Sequence, residues 1–392
     1  MPLTRFAGRI GRLPTQFFVQ LVKKTEDMIS AGHDVINLGR GNPDQPTPPH
    51  IVDALSRAAR DPATHGYSPF SGLRALREAA ARWYRRRFGV ELDPDREVAV
   101  LIGSKIGLVE ISLCLLEKGD LCLMPDPGYP DYWSGVALAG GTTETMPLVR
   151  SNGFLPDYDA VAPSTADRAR LMFLCYPNNP TSAGADLAFF RRTAGFVARH
   201  GIVVAHDLAY GELVFDGRRP VSFLQAEGAK EVGIEFYTLS KTYNMAGWRI
   251  GFAAGNSEVI RAITLIQDHL HVSQFPAVQL AAIEALEAPQ DCVRDLIALY
   301  QERRDAFVSG ARRIGWPVEP CCGSFYCWAR VPEGYTSAEF ADLLLSRAQV
   351  AVAPGVGFGR HGDGYVRISL TTTKDRIAEA VERVGRLEIF RG

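Results

Sequence analysis

The sequence predicts an α/β fold in which helices cover both faces of a mostly parallel sheet. Short apolar runs alternate with segments of helical periodicity through the middle of the chain, a pattern typical of strands that are buried on both faces. Each run ends in a cluster of polar residues, glycine or proline. Because the carboxyl ends of parallel strands meet at one edge, where open α/β sheets bind ligands, these clusters are expected to form one pocket.

The predicted strands are five apolar runs, in chain order 98–102, 121–124, 171–175, 202–205 and 235–239. Helical spacing is present in segments that lie between them, at 107–116 and 186–200. The polar ends of the runs are the segments 103–105, 125–127, 176–180, 206–207 and 240–241. We therefore expect the binding and catalytic residues in these five segments.

A second, smaller α+β domain is predicted from the C-terminal part of the chain. Helical periodicity prevails there, with a break at Pro289, and strand-like runs follow. The helical segments are 257–315 and 337–348, and the strand-like runs are 323–331, 350–353 and 365–370. We expect a large domain over residues 46–290 and a small domain that combines 291–392 with an N-terminal arm, 1–45.

The composition is that of an ordinary soluble globular protein: of 392 residues, 46% are hydrophobic and 22% are charged. A formal net charge of -1 gives no electrostatic reason to expect a nucleic acid or an anionic membrane as partner. The chain has no apolar run of membrane-spanning length and no secretory signal, so a cytoplasmic location is expected. Cysteines and histidines lack metal-ligand spacing, which predicts free thiols and no metal site.

Lys241 is the most informative single residue, because it directly follows a predicted strand and Ser240. A lysine held at the mouth of a sheet can be desolvated and become a neutral nucleophile toward an aldehyde. Arg249 and the hydroxyls of Thr238 and Ser240 could hold a phosphate. An aldehyde and a phosphate on one small molecule indicate pyridoxal 5′-phosphate. For a lone lysine a surface loop is the simpler interpretation, but the neighbouring residues favour the cofactor.

Three side chains at other strand ends suit the ring of this cofactor. Asp207 ends a buried run, where a carboxylate is costly unless it meets a cation such as a protonated pyridine nitrogen. A helix N-cap is the alternative for this aspartate. Tyr210 and Asn179 could hydrogen-bond the phenolate oxygen of the ring, although Asn179 also precedes a proline, which is turn chemistry.

Five further residues are candidates for contact with the cofactor or the substrate. Ser104 and Lys105 open a predicted helix whose N-terminus suits a phosphate, although the glycine spacing of a Walker loop is missing. Tyr129 could stack on a planar ring or pack in the core. Tyr67 could reach a phosphate across a dimer. Arg367, inward-facing on a predicted strand, needs an anion: the carboxylate of an amino acid or of a neighbouring acidic residue.

The segments 176–181, 207–210 and 240–249 carry a resemblance to a known family. The chain resembles the class I and II, fold-type I aminotransferases almost from end to end. The resemblance implies a large domain with a seven-stranded, mostly parallel sheet, a smaller α+β domain, and a homodimer with shared active sites. It also implies pyridoxal 5′-phosphate as the cofactor and ping-pong transfer of an amino group from an amino acid to a 2-oxo acid.

The same resemblance implies roles for residues of this sequence. Lys241 is the residue bound to the cofactor aldehyde, and it also moves the proton. The phosphate is held by Ser104, Lys105, Thr238, Ser240 and Arg249, with Tyr67 given by the partner subunit. The ring is held by Asp207, Asn179, Tyr210 and Tyr129. The substrate is bound by Arg367, which takes the α-carboxylate, together with Asn179, Gly41 and Phe18.

Within the family, a resemblance to the methionine-salvage transaminases of bacilli is carried by the segments 16–18, 41–48, 127–135 and 237–249. It implies 4-methylthio-2-oxobutanoate as amino acceptor and methionine as product. Ser104, Ile106 and residues 211–214 depart from that subgroup, so diaminopimelate, aromatic and aspartate-type aminotransferases stay open, as does a lyase or racemase of the same fold. A transcription factor on this fold would need a DNA-binding head, for which no basic patch is present. No second arginine stands out for a side-chain carboxylate, which favours a neutral or thioether side chain.

Overall fold

The computed structural model describes residues 6–14, 17–319 and 321–390, apart from the side chains of residues 17, 18 and 20. The strands, in chain order, are β1 (Ile36–Asn37), β2 (Val98–Leu101), β3 (Leu121–Asp126), β4 (Thr142–Pro147), β5 (Ala169–Cys175), β6 (Val203–Asp207), β7 (Gly233–Thr238), β8 (Gly251–Gly255), β9 (Tyr326–Arg330), β10 (Val350–Ala351), β11 (Ala353–Pro354) and β12 (Tyr365–Ser369). The α-helices are α1 (Phe17–Ser30), α2 (Pro49–Ala59), α3 (Arg74–Phe88), α4 (Ser104–Leu115), α5 (Asp131–Ala139), α6 (Pro163–Ala166), α7 (Leu187–His200), α8 (Ala229–Val232), α9 (Leu239–Thr242), α10 (Ser257–Leu270), α11 (Pro276–Glu287), α12 (Asp291–Arg313), α13 (Ser337–Leu343) and α14 (Lys374–Gly385).

The centre of the molecule is a seven-stranded sheet with the order β2-β8-β7-β6-β5-β3-β4. Only β8 runs against the others, since its pairs with β2 and β7 are antiparallel while the remaining pairs are parallel. The predicted α/β class and the mostly parallel sheet are therefore confirmed. The carboxyl ends of β2, β3, β5, β6 and β7 lie at the same edge.

Both faces of this sheet are covered, as the apolar runs predict. In β5, Leu171, Phe173 and Cys175 belong to one buried cluster, and Met172 and Leu174 belong to another. Because successive side chains of a strand point to opposite faces, the two clusters lie on the two sides of the sheet. Helices α4, α5 and α10 contribute to the first cluster, and α3, α7 and α11 contribute to the second.

Two strands of the central sheet, β4 and β8, were not predicted from the sequence. β4 is an edge strand whose side chains are mostly exposed, so its composition is polar and lacks an apolar run. β8 consists of glycine, alanine and one phenylalanine, without the β-branched residues that are typical of strands. The five predicted runs coincide with the other five strands to within a few residues.

The C-terminal part forms helices and a three-stranded antiparallel sheet, β11-β12-β9. The run 350–353, predicted as one strand, is divided, because β10 pairs with β1 while β11 pairs with β12. The long helical segment is divided twice, at the predicted break near Pro289 and also at residues 271–275. No helix in the described part of the chain is both long and apolar enough to cross a membrane.

The segment before the central sheet packs on the C-terminal part. β1 pairs in parallel with β10. Asp34 forms ion pairs with Arg376 and Arg383 of α14, and these arginines hold the pKa of Asp34 down to about 2. Lys24 of α1 pairs with Asp342 of α13. These contacts place residues 36–42, which continue from β1, beside the carboxyl edge of the central sheet.

Candidate active site

The ends of β2, β3, β5, β6 and β7 surround one cavity of about 630 Å³. Its wall also includes residues from α1, from the segment after β1, and from the C-terminal sheet. All but two of the predicted site residues line this cavity, namely Gly41, Ser104, Lys105, Tyr129, Asn179, Asp207, Tyr210, Thr238, Ser240, Lys241, Arg249 and Arg367. The prediction that the polar strand ends form one pocket therefore agrees with the fold.

Lys241 lies in the short helix α9, which Thr238 caps by accepting a hydrogen bond from the Ser240 N–H. Its Nζ atom donates to the Gly41 carbonyl oxygen at 3.0 Å. Desolvation by burial, reinforced by the charge of Arg367, lowers the pKa of Lys241 to about 8. A substantial fraction of the amine is therefore neutral near that pH and can act as a nucleophile or a base.

Asp207 is a buried carboxylate whose two oxygens differ in their hydrogen bonding. The Tyr132 hydroxyl donates to its Oδ2 atom at 2.8 Å. Its Oδ1 atom is buried and has no hydrogen-bond partner within the described residues. Burial raises the pKa of Asp207 to about 6, and the hydrogen bond from Tyr132 opposes the shift. A cationic or N–H donor group of a ligand would satisfy Oδ1 and stabilise the charge.

The end of the cavity near β7 and β8 is built to receive an anion. Helix α4 begins at Ser104 without a side-chain cap, so its first N–H groups are available to a ligand. The hydroxyls of Thr238 and Ser240 lie 2.8 Å apart. Arg249 has a left-handed backbone, with φ of 55°, and a methyl group at Gly103 would overlap its guanidinium. Only glycine permits this approach, which aligns the arginine with the helix N-terminus.

Lys105 lines the same cavity but is engaged elsewhere. Its ammonium lies 3.0 Å from Asp131 Oδ2, and its side chain is about half exposed. A phosphate would have to compete with Asp131 for this cation. Lys105 is therefore the weakest member of the predicted phosphate group.

Arg367 and Asn179 form a unit on the opposite wall. Arg367 is buried, and its Nη1 atom donates to Asn179 Oδ1 at 2.8 Å. The guanidinium carbon lies 4.0 Å from the ring centre of Tyr326 and 4.6 Å from that of Phe358. The Arg367 Nη2 atom also donates to the Gly39 carbonyl oxygen at 3.2 Å, and the guanidinium brings a positive charge to the cavity wall. Because Asn179 Oδ1 is occupied, its Nδ2 group is the available donor.

Three tyrosines and a glycine complete the lining of the site. Burial raises the pKa of Tyr210 well above its ordinary value, so its phenol stays protonated and can donate a hydrogen bond. Its hydroxyl lies 3.3 Å from that of Tyr326. A methyl group at Gly41 would overlap the Tyr326 hydroxyl, so this position needs glycine. Tyr129 is partly buried and lies edge-on to Tyr132.

Two predicted residues remain, of which Tyr67 does not line the cavity and Phe18 cannot be placed relative to it. Tyr67 is 93% exposed and borders a separate surface groove with residues 272–276. Its proposed route to the phosphate, across a dimer, stays a prediction. Phe18 belongs to α1, but its side chain lies outside the described part of the structure, as does Gln16.

Several residues that line the cavity or contact its lining were missed in the sequence analysis. Tyr132 is in α5, one turn beyond Tyr129, and only the fold shows that it meets Asp207. Leu21 and Val22 of α1 form an apolar wall. Arg40 is exposed and lines the cavity, although no second arginine was singled out from the sequence for a side-chain carboxylate. Its place beside Gly41 was the one signal that could have found it.

These observations fit pyridoxal 5′-phosphate in three respects. The Asp207 Oδ1 atom, which accepts no hydrogen bond from the described residues, suits a protonated ring nitrogen. Lys241 suits the aldehyde, and the group formed by Ser104, Ser240 and Arg249 suits the phosphate. The fold and the site together therefore define a pyridoxal phosphate-dependent enzyme.

Comparison with known families narrows this class. The family model for aminotransferases of class I and II matches residues 33–384. The chain belongs to this family. It is a transaminase, dependent on pyridoxal 5′-phosphate, that acts on amino acids and oxo acids.

Individual relatives cover nearly the whole chain. It is 57% identical over 381 residues to the L-glutamine–4-(methylsulfanyl)-2-oxobutanoate aminotransferase of Bacillus subtilis, covering 97% of this chain and 96% of the relative. It is 50% identical to the LL-diaminopimelate aminotransferase of Moorella thermoacetica, over 97% and 98% of the two chains. A substrate-bound BacF structure from B. subtilis superposes with a TM-score of 0.96 at 43% identity, covering 100% of this chain and 99% of that one.

Proposed function

We propose that the protein transfers an amino group to 4-methylthio-2-oxobutanoate and forms methionine, as a cytoplasmic enzyme of methionine salvage. The observation that carries this proposal is the 57% identity, over 97% of the chain, to the B. subtilis enzyme named for that acceptor. The apolar wall formed by Leu21 and Val22 supports it, because a thioether side chain gains free energy on burial against apolar groups. Glutamine, the donor in the name of that relative, is the first donor to test.

A second candidate substrate is LL-diaminopimelate. It is favoured by the 50% identity to the M. thermoacetica enzyme and by Arg40, an exposed cation bordering the cavity. The far end of diaminopimelate carries a second carboxylate, which an arginine can bind in a bidentate manner. The side chain of 4-methylthio-2-oxobutanoate offers no such group.

The substrate α-carboxylate is assigned to Arg367. Its guanidinium is buried between Tyr326 and Phe358 and is oriented by Asn179. A planar carboxylate matches the guanidinium, and exclusion of water strengthens the pairing. Gly41 lets the Tyr326 hydroxyl approach the backbone beside Arg367, because any side chain at position 41 would overlap that hydroxyl.

Lys241 is assigned as the catalytic residue. When bound, pyridoxal 5′-phosphate supplies an electron-withdrawing ring that stabilises negative charge at the substrate Cα. Lys241 Nζ, with its lowered pKa, accepts the proton from the substrate Cα and later releases it. Asp207 keeps the ring nitrogen protonated, and the donors of Asn179 and Tyr210 hold the ring oxygen.

The active unit is proposed to be a homodimer with shared sites. Tyr67 and Phe275 are exposed and border one surface groove, and Phe70 and Leu270, close to them in the sequence, are exposed as well. Gln274, in the same region, donates to the Arg249 carbonyl oxygen at 2.7 Å, so this surface borders the phosphate end. Exposed apolar area of this kind is typical of a protein interface.

The substrate proposal is tested by an acceptor screen with 4-methylthio-2-oxobutanoate, 2-oxoglutarate and phenylpyruvate, and by a parallel assay with LL-diaminopimelate. We expect the highest kcat/KM with the thioether oxo acid. The Arg40→Gln variant should leave that value unchanged. A preference for 2-oxoglutarate with aspartate as donor, or for LL-diaminopimelate with a loss in Arg40→Gln, would overturn the assignment.

The shared site is tested by mixing two inactive variants, Lys241→Ala and Tyr67→Ala. If Tyr67 serves the site of the other subunit, a mixed dimer contains one site with both native residues. Activity should therefore return after the two variants are mixed and allowed to exchange subunits. Absence of recovery in a mixture shown to contain mixed dimers would contradict the proposal.

A further inference from the structure

Asp126 is a buried carboxylate whose partners come from a distant part of the chain. It is the last residue of β3 and is 2% exposed. Its Oδ2 atom lies 2.8 Å from His361 Nδ1, and its Oδ1 atom accepts a hydrogen bond from the His361 backbone N–H at 3.0 Å. A buried carboxylate is costly unless it is paired, so both contacts matter to the folded state. They fasten the loop of residues 355–362 to the end of β3.

The residues before His361 are held by the same strand end. Gly359 has φ of 135°, and a methyl group there would overlap Asp126 Oδ1. One residue earlier, the Phe358 carbonyl oxygen accepts a hydrogen bond from the Gly128 N–H at 2.8 Å. The backbone of 358–361 is thus fixed by Asp126 and Gly128 together.

Phe358 connects this contact to the active site. Its side chain is 1% exposed and lines the cavity. Its ring centre lies 4.6 Å from the Arg367 guanidinium, on which Tyr326 also packs. Attraction between a cation and an aromatic face depends on this geometry. A shift of Phe358 would therefore change the orientation of Arg367.

We propose that Asp126 and His361 form a positioning latch for the substrate carboxylate. The latch holds Phe358 against Arg367, so that the guanidinium keeps one orientation in the cavity. The proposal rests on the assigned role of Arg367. Asp126 also lies three residues before Tyr129, so the latch ties the carboxylate site to the strand end that carries the proposed ring-stacking tyrosine.

Two substitutions of His361 separate the hydrogen bond from the size of the side chain. The amide nitrogen of asparagine lies near the place of Nδ1, whereas that of glutamine lies near the place of Nε2. His361→Asn should keep the bond to Asp126, and His361→Gln should lose it. In His361→Gln and His361→Ala, we expect KM to rise by about tenfold for both the amino donor and the oxo acid, while kcat changes by less than about twofold.

The most discriminating part of this expectation is that KM rises by the same factor for the amino donor and for the oxo acid. Both substrates present a carboxylate to the same arginine, so a misplaced Arg367 weakens both equally. Arg360→Ala is the matched control in the same loop, because Arg360 is 77% exposed and its Nε atom lies 3.9 Å from Asp126. Because the Arg360 side chain is solvent-exposed and 3.9 Å is beyond hydrogen-bond distance, this pairing contributes little, so KM should stay unchanged. Visible absorbance of the holoenzyme and its Tm report folding, and Asp126→Ala, which removes both carboxylate oxygens, supplies an independent break of the latch.

Arg367→Gln distinguishes failure of the latch from failure of the assigned carboxylate site. Unchanged KM in Arg367→Gln would count against the site itself and against the latch with it. Raised KM in Arg367→Gln with unchanged KM in both His361→Gln and Asp126→Ala would overturn the latch alone. An equal rise in His361→Asn and His361→Gln would also overturn it, because the Nδ1 bond would then be irrelevant.

Discussion

The Tyr132 hydroxyl donates a hydrogen bond to Asp207 Oδ2 at 2.8 Å, and both side chains are buried. Tyr132 is itself stacked on Phe173, with ring centres 4.7 Å apart, so its hydroxyl has little freedom to move. The hydrogen bond leaves Oδ1 as the oxygen directed to a ligand. Tyr132 therefore orients Asp207 so that its Oδ1 atom can accept a hydrogen bond from a bound ligand.

Replacement of Tyr132 by phenylalanine should weaken cofactor binding. The hydrogen bond lowers the pKa of Asp207 against the effect of burial, which raises it to about 6. Without the bond the pKa rises further, so the carboxylate is protonated over a wider acid range and no longer favours a protonated ring nitrogen. We expect about tenfold weaker binding of pyridoxal 5′-phosphate, with a larger loss at pH 6 than at pH 8. Titration of the apoenzyme at both pH values measures it, and equal affinity to wild type would contradict the role.

Much of the candidate site could be predicted because its residues stand at strand ends. Asp207, Lys241 and Asn179 each follow an apolar run, and the parallel sheet brings such ends to one edge. Tyr132 could not be found in this way, because it lies inside a helix and meets Asp207 only through the packing of α5 on the sheet. The contact of His361 with Asp126 was also missed, because the two residues are 235 positions apart and meet only in the folded chain.

The unpredicted parts of the fold have a comparable cause. A strand is recognised from sequence by what it buries, and β4 buries little because it lies at the edge. The division of residues 350–353 between two sheets depends on which partners, β1 and β12, approach from elsewhere. The local sequence of residues 350–353 contains no information about which distant strands will pair with it.

Replacement of Lys241 by alanine should abolish transamination and the visible absorbance of the holoenzyme. Both depend on the amine, as attachment point for the aldehyde and as the base at the substrate Cα. Absorption spectra and a coupled assay with the same cofactor load measure the two losses. Lys118→Ala, at an exposed lysine, is the control that should behave as wild type. Turnover retained in Lys241→Ala would exclude the assigned mechanism.

The stability of the apoenzyme should depend on Lys241 in a pH-dependent way. Its pKa is about 8 in the folded state and 10.5 ordinarily, so the unfolded state binds more protons between these values and stability rises with pH there. Below pH 8, the full cost of the buried charge is present, roughly 3 kcal/mol. Lys241→Met should therefore exceed wild-type apoenzyme in stability at pH 7, and the difference should shrink toward pH 10.5. Urea unfolding at several pH values measures it, and a constant difference would show that packing, not charge, is responsible.

Substitution of Gly103 by alanine should damage the anion end of the site specifically. The added methyl group would overlap the Arg249 guanidinium, and the residue would also be strained at φ of 74°. We expect the affinity for pyridoxal 5′-phosphate to fall by at least about tenfold, the size of one lost charged hydrogen bond. Affinity for pyridoxal, which has no phosphate, should fall much less.

Gly201→Ala separates the two effects of the Gly103 substitution. Gly201 has φ of 67° and open space around its Cα, so alanine there carries the backbone strain without a clash. It should lower stability by about 1 kcal/mol and leave cofactor affinity unchanged. Affinities for the two aldehydes come from absorbance titration of each apoenzyme. Parallel losses for pyridoxal and its phosphate in Gly103→Ala would mean that the substitution disturbs the whole cavity, and the assignment of Arg249 to the phosphate would then fail.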